Sequence, residues 1–65
     1  MIRFADAVKE ARRYVLREST RVFAARWGVS PRSVESWEQG IRAPKEDVQQ
    51  AIRQLAARTA RRRVS

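Results

Sequence analysis

Residues 20–39, TRVFAARWGVSPRSVESWEQ, decide the fold of this chain. Two apolar patterns of helical spacing flank Gly28, and glycine adopts the left-handed backbone of a tight turn at little cost. Ser30 and Pro31 then restart a helix, because serine is a good helix cap and proline suits the first helical position. The stretch therefore predicts two short packed helices joined by a tight turn.

The apolar and small residues of this stretch recur where two packed helices need them: Phe23, Ala24, Trp27, Val29, Val34 and Trp37. Ala24 falls where the helices would cross, and a larger side chain there would push them apart. The second helix, 31–39, is polar apart from Val34 and Trp37, which share one face. A short helix held by two anchors is suited to be presented to a partner. The motif is a helix-turn-helix over 20–39, and DNA is its commonest partner.

Helical patterns continue on both sides of this motif. Apolar residues of helical period predict a first helix over 4–17, with Phe4, Val8, Ala11 and Val15 inside and Ala5, Arg12 and Leu16 one step round. Gly40 ends the motif, and Pro44 opens a last helix. The inner face of that helix carries Val48, Ala51, Ile52, Leu55 and Ala56. The fold class is all-α, a compact four- to five-helix bundle. We expect one domain over 1–58 and a basic C-terminal tail over 59–65 that frays.

The composition restricts the function of the chain. Its 65 residues suffice for one small domain. The sequence contains neither cysteine nor histidine, which excludes a disulfide and an ordinary zinc site. Paired carboxylates and a glycine-rich phosphate loop are also missing, so we expect no enzyme, no metal and no cofactor. No apolar run approaches the ~20 residues of a membrane span, and we therefore expect a cytoplasmic protein.

The charge of the chain indicates its class of partner. Fifteen lysines and arginines against seven acidic residues give a formal net charge of +8. Such a balance favours a polyanion, which is DNA, RNA or an anionic membrane surface.

The run GVSPRSVESWEQG at 28–40, followed by Ala43 and Pro44, resembles the Cro/repressor-type (Xre) helix-turn-helix. The sequence FAAR at 23–26 upstream matches as well, and the resemblance covers residues 9–55. It implies a lambda-repressor-like fold and a phage or bacterial regulator that binds operator DNA as a two-fold dimer. The position before the cap of the first motif helix, often apolar in the family, is Glu18 here.

The same resemblance assigns roles to individual residues. Residues of the recognition helix, 31–39, and its cap would contact bases in the major groove: Ser30, Arg32, Ser33 and Ser36. Residues at the start of the first helix of the motif and after the recognition helix would contact phosphates: Thr20, Arg21, Gln39 and Arg42. A structural ion pair would join Arg13 to Glu38. Arginine donates two hydrogen bonds to guanine, whereas serine is permissive. Ordinary solvation is the alternative for each of these surface residues.

We therefore expect a sequence-specific transcription regulator, most simply a repressor, that binds a pseudo-palindromic operator in double-stranded DNA as a homodimer. We expect no membrane partner and no small-molecule ligand. Phage repressors, antitoxins and anti-CRISPR-associated regulators all have this size. Two other classes stay open: a small basic RNA-binding protein and a protein-interaction module such as an antitoxin. The lack of exposed aromatic residues for base stacking counts against RNA.

Overall fold

The computed structural model describes the backbone of residues 3–64 and the side chains of residues 3–58. This part of the chain is helical and contains no strand, which confirms the all-α class. Its elements in chain order are α1 (Phe4–Glu10), a π-helix (Ala11–Leu16) that continues α1, α2 (Thr20–Trp27), α3 (Pro31–Gln39) and α4 (Glu46–Val64). The backbone of α4 thus extends into the predicted tail, whose side chains lie outside the described residues.

The first helix has the predicted extent, but its second half is a π-helix. Each N–H of a π-helix bonds to the carbonyl five residues earlier, so Leu16 rather than Val15 follows Ala11 by one turn. Ala11 is fully buried, and Leu16 packs against the core. Arg17 ends the segment in the left-handed conformation, with φ of 53°. The wider turn therefore keeps the apolar side of this helix against the bundle.

Every helix contributes to the core: α1 packs on both α3 and α4, α2 packs on α3, and the π-helix packs on α4. Four large side chains are fully buried in it, namely Phe23, Ile52, Val8 and Val34. Burying one side chain of this size contributes about 1.5–3 kcal/mol. Small residues complete the interior and allow the helices to approach closely: Ala7, Ala11, Ala24 and Ala56.

Both tryptophans pack where the sequence predicts. Trp37 is buried, and its ring lies 6.4 Å from the ring of Phe4 between centroids. Trp27 is half-buried and meets Phe23 edge to face, with centroids 5.8 Å apart. The first contact holds α1 to α3, and the second lies within α2.

The connection between α2 and α3 is the predicted tight turn. Gly28 is left-handed, with φ of 68°. The N–H groups of Gly28 and Val29 donate to the carbonyls of Ala25 and Ala24, at 3.2 and 3.0 Å. This pairing is a Schellman motif, which satisfies carbonyls at the helix end. Ser30 then caps α3, since its hydroxyl oxygen accepts a hydrogen bond from the N–H of Ser33 at 3.3 Å.

The entry to α2 is held by charge. Ser19 caps the helix, with its hydroxyl 3.2 Å from the N–H of Val22. An apolar residue before the cap commonly packs on the first turn of the helix. Glu18 occupies that position and accepts a hydrogen bond from Nε of Arg26 at 3.2 Å instead. This hydrogen bond, and then the carboxylate charge, raise the pKa of Arg26.

The ion pair that fixes α3 is made by Arg12, so its assignment to Arg13 is wrong by one residue. Nε and Nη2 of Arg12 donate to the two carboxylate oxygens of Glu38, at 2.7 and 3.4 Å. Arg12 follows the buried Val8 by four residues and so lies at the edge of the face that α1 turns to its neighbours. Arg13 lies one position further round and is exposed.

Arg12 also binds the segment that leads into α2. Its Nη1 donates to the carbonyl of Glu18 at 3.2 Å, and its own carbonyl accepts from the N–H groups of Arg17 and Glu18. The side chains of Arg12 and Glu38 are 12% and 13% exposed, so the pair is largely withdrawn from water. One arginine thus connects the π-helix, the entry to α2 and the end of α3.

Replacing Arg12 should therefore destabilise the fold far more than replacing its neighbour. Arg12→Ala leaves the Glu38 carboxylate poorly solvated and without its donor, and should lower the free energy of unfolding by about 1–3 kcal/mol. Arg13→Ala removes an exposed side chain and should change it by less than ~0.5 kcal/mol. Urea denaturation followed by circular dichroism measures both. Equal losses in the two variants would contradict the pairing.

Candidate nucleic-acid interface

Helix α3 has one buried face and one open face. Val34 and Trp37 are buried and fasten it to the core. Both of its ends are fixed as well, by the Ser30 cap and by Gly40, which is left-handed with φ of 77°. The opposite face is therefore presented on a short helix that is held at both ends.

A shallow groove, here called the α3 groove, runs between this open face and the loop 40–43. It is lined mainly by Ser30, Arg32, Ser33, Ser36, Ile41 and Arg42. The structure therefore brings together all four residues that the sequence assigns to base contact. It adds Arg42, which the sequence assigns to phosphate contact, at the loop side of the same groove.

The polar side chains of the α3 groove differ in their hydrogen bonds and in their exposure to solvent. The hydroxyl of Ser30 caps the helix and lies 3.2 Å from the hydroxyl of Ser33. Ser33 and Ser36 are half-buried, whereas Arg32 and Arg42 are exposed. The serines therefore form a short polar floor, and the two arginines supply long charged donors above it.

A second groove, here called the α1 groove, shares Trp37, Ile41, Arg42 and Ala43 with the first. It lies between the start of α1 and the loop 40–43, and its charged lining includes Arg3, Asp6, Lys9 and Arg42. Gln39, another predicted phosphate contact, lines it as well. Sequence reasoning missed Arg3 and Lys9 because they are distant from α3 along the chain. Their basic character was the one available signal.

The remaining two predicted phosphate contacts lie elsewhere. Thr20 and Arg21 are the first two residues of α2, and neither belongs to the lining of the two grooves. Thr20 is half-buried and Arg21 is exposed. Free N–H groups at the start of a helix favour an anion, so Thr20 lies where backbone donors are available.

Other kinds of site find little support among the described side chains. No three acidic residues of residues 3–58 are grouped so that they could hold a metal ion. In the same part of the chain, no helix combines the length and the apolar character that crossing a bilayer requires.

Comparison with models of protein families, with curated proteins and with solved structures found no significant match. Two exposed arginines, Arg32 and Arg42, flank serine hydroxyls on the open face of a helix with two buried anchors.

The role of Ser30 as the cap of α3 can be tested by substitution. Ser30→Ala should lower the free energy of unfolding by ~1 kcal/mol, because the N–H of Ser33 loses its acceptor. Ser30→Asp should retain the stability, since a carboxylate accepts the same bond and suits the positive end of the helix. Thermal denaturation measures both. Ser33→Ala is the control, because its hydroxyl caps no N–H, and a loss equal to that of Ser30→Ala would contradict the cap.

Proposed function

We propose that the chain is a sequence-specific transcription regulator, a repressor of the phage or bacterial type, that inserts α3 into the major groove of an operator. The observation that carries this proposal is the α3 groove. It collects Ser30, Arg32, Ser33 and Ser36 on the open face of a helix whose other face is buried. No metal, cofactor or small-molecule ligand enters the proposal.

The dimensions and chemistry of α3 suit this role. The major groove of B-DNA admits an α-helix, and its base edges differ in donors, acceptors and methyl groups. Arg32 is exposed near the start of α3 and can donate two hydrogen bonds to a guanine. The short serines beside it allow the helix backbone to approach the bases.

The surrounding charge suits the phosphate backbone. Arg42 and Gln39 lie close together at the end of α3, and Arg3 and Lys9 extend the same side through the α1 groove. Thr20 and Arg21 offer further contacts at the start of α2. Phosphate contacts fix the position of a protein on DNA and supply most of its salt-dependent affinity. The net charge of +8 acts in the same direction.

We further propose that the protein acts as a homodimer. One recognition helix contacts only a few base pairs, which is too little to specify one genomic site. Two copies related by a two-fold axis would occupy half-sites ~10 base pairs apart. The outer side of α4 over 48–58 is our choice for the contact. Occupancy of the operator would itself be the regulatory output, including autoregulation of its own operon.

RNA binding is less well supported. Proteins that bind single-stranded RNA stack bases on exposed aromatic rings. Among the described aromatic side chains, only that of Tyr14 is largely exposed, and it lies on the π-helix outside the lining of both grooves. A single ring that lies away from the basic grooves is a poor platform for stacking bases. Duplex DNA is therefore a better match to this surface than single-stranded RNA.

The roles of Arg32 and Arg42 should separate in binding measurements. Arg32→Ala should cost ~1–3 kcal/mol on a duplex selected by the protein from a random pool, and relax the preference at one position of each half-site. Arg42→Ala should weaken the selected and a scrambled duplex alike. It should also reduce the slope of log K against log salt concentration by about 0.9 for each phosphate that the variant no longer neutralises.

The measurement is fluorescence anisotropy of both duplexes across a salt series. Arg13→Ala, which removes an exposed cation outside both grooves, is the matched control and should leave the slope unchanged. Equal losses for Arg32→Ala on the two duplexes would make Arg32 a phosphate contact. Absence of any preferred duplex for the wild type would contradict sequence-specific regulation itself.

Assembly on DNA gives a separate test. Sedimentation of the saturated complex should give two chains for each selected duplex, and footprinting should protect two segments centred ~10 base pairs apart. One chain for each duplex would exclude the dimer and leave the assignment of α3 intact.

A further inference from the structure

Ile41 has an unusual environment for a large aliphatic side chain. It is 68% exposed, more than either Tyr14 or Val22, the two other large apolar side chains of the exposed class among the described residues. It lies where the α3 groove and the α1 groove meet and lines both, together with Trp37, Arg42 and Ala43. An isolated exposed aliphatic side chain needs no explanation by itself. The position of this one, and the backbone that holds it, give it significance.

A comparison of the C-terminal ends of α2 and α3 explains why Ile41 is uncovered. Val29 and Ile41 occupy the same position in two Schellman motifs, since their N–H groups donate to the carbonyls of Ala24 and Ser36, each at 3.0 Å. An apolar residue at this position commonly packs on the residue whose carbonyl it caps. Val29 does pack against the core, and Ala24 is buried.

Ile41 faces a different partner. The residue that it caps is Ser36, whose side chain is short and polar and offers no apolar surface. The hydrogen bond fixes the backbone of Ile41, while the usual apolar contact is missing. The result is an aliphatic side chain with an open apolar surface in the α3 groove, carried on a backbone that a hydrogen bond holds in place.

The major groove of DNA presents one apolar group at the base edges, the C5-methyl group of thymine. The arginine and serines of the α3 groove can recognise donors and acceptors, whereas Ile41 cannot. We propose that Ile41 is a specificity-determining residue that contacts the C5-methyl group of a thymine, one in each half-site. This inference rests on the proposed function and adds to it a preference at a position that no hydrogen bond specifies.

The expected size follows from the area of one methyl group. Burial of one methyl-sized group favours binding by about fourfold, which corresponds to ~0.8 kcal/mol. Uracil differs from thymine in the absence of this methyl group alone. Replacing the contacted thymine by uracil should therefore weaken binding of the wild type about fourfold in each half-site, and leave every hydrogen bond of the base pair in place.

The experiment uses the full chain and a duplex that it selects from a random pool. Each thymine of one half-site is replaced in turn by uracil, and equilibrium binding is measured for the wild type and for Ile41→Ala. The wild type should lose affinity about fourfold at one thymine. Ile41→Ala should bind the thymine and uracil duplexes equally at that position, with the affinity of the wild type for the uracil duplex.

Val22→Ala is the matched control, because Val22 is also half exposed but lies outside the lining of the α3 groove. It should keep the full difference between thymine and uracil. Circular dichroism should show both variants folded, since both remove exposed side chains. The inference is overturned if no uracil weakens the wild type, or if Ile41→Ala keeps the difference. In either case binding to the selected duplex would still support the proposed function. Failure to select any duplex would instead remove both.

Discussion

The bidentate ion pair between Arg12 and Glu38 is the interaction on which the arrangement of this small bundle depends. Withdrawing two charges from water is unfavourable unless geometry and further hydrogen bonds compensate for it. Here two bonds join the guanidinium to the carboxylate, and a third joins it to the carbonyl of Glu18. The pair therefore fixes the relation of the first helix, the entry to α2 and the end of α3 at one point. In a core with few large side chains, such a directional contact defines the position of α3 better than apolar packing alone.

The π-helix belongs to the same arrangement. Its wider turn directs the carbonyl of Arg12 to the N–H groups of both Arg17 and Glu18, while the side chain of Arg12 reaches Glu38. The left-handed Arg17 then reverses the chain toward α2. The backbone and the side chain of a single residue thus act together. The π-helical turn also brings Leu16 to the core, so that apolar packing and the ion pair favour the same register.

Stability and the proposed function share residues along α3. Ser30 caps the helix and lines the α3 groove, and Ser36 supplies the carbonyl that holds Ile41. Val34 and Trp37 determine which face of the helix remains open. The proposed interface is therefore placed by the same contacts that fold the domain. A substitution that removes the helix cap at Ser30 would affect both properties, whereas exposed arginines of the groove can be replaced with little effect on the fold.

The sequence by itself determined the features that depend on local chemistry. Gly28 and Gly40 end α2 and α3 because both positions need a left-handed backbone. Ser30 begins α3 because its hydroxyl accepts a hydrogen bond from a backbone N–H group. The anchors Phe23, Val34 and Trp37 followed from helical periodicity, and burial confirmed them. Each of these features is encoded within a few residues.

Only the tertiary structure decided the features that depend on contacts between distant segments. The choice of Arg12 over Arg13 depends on how the first helix is rotated against α3, because a shift of one residue turns a side chain to another side of the helix. The placement of Arg3 and Lys9 along the same groove as Arg42 depends on how the first helix lies against the loop 40–43. The exposure of Ile41 depends on which residue its N–H caps, because Ser36 offers it no large apolar side chain to pack on. Periodicity indicates which face of a helix is buried, but packing alone determines which residues of another helix it meets.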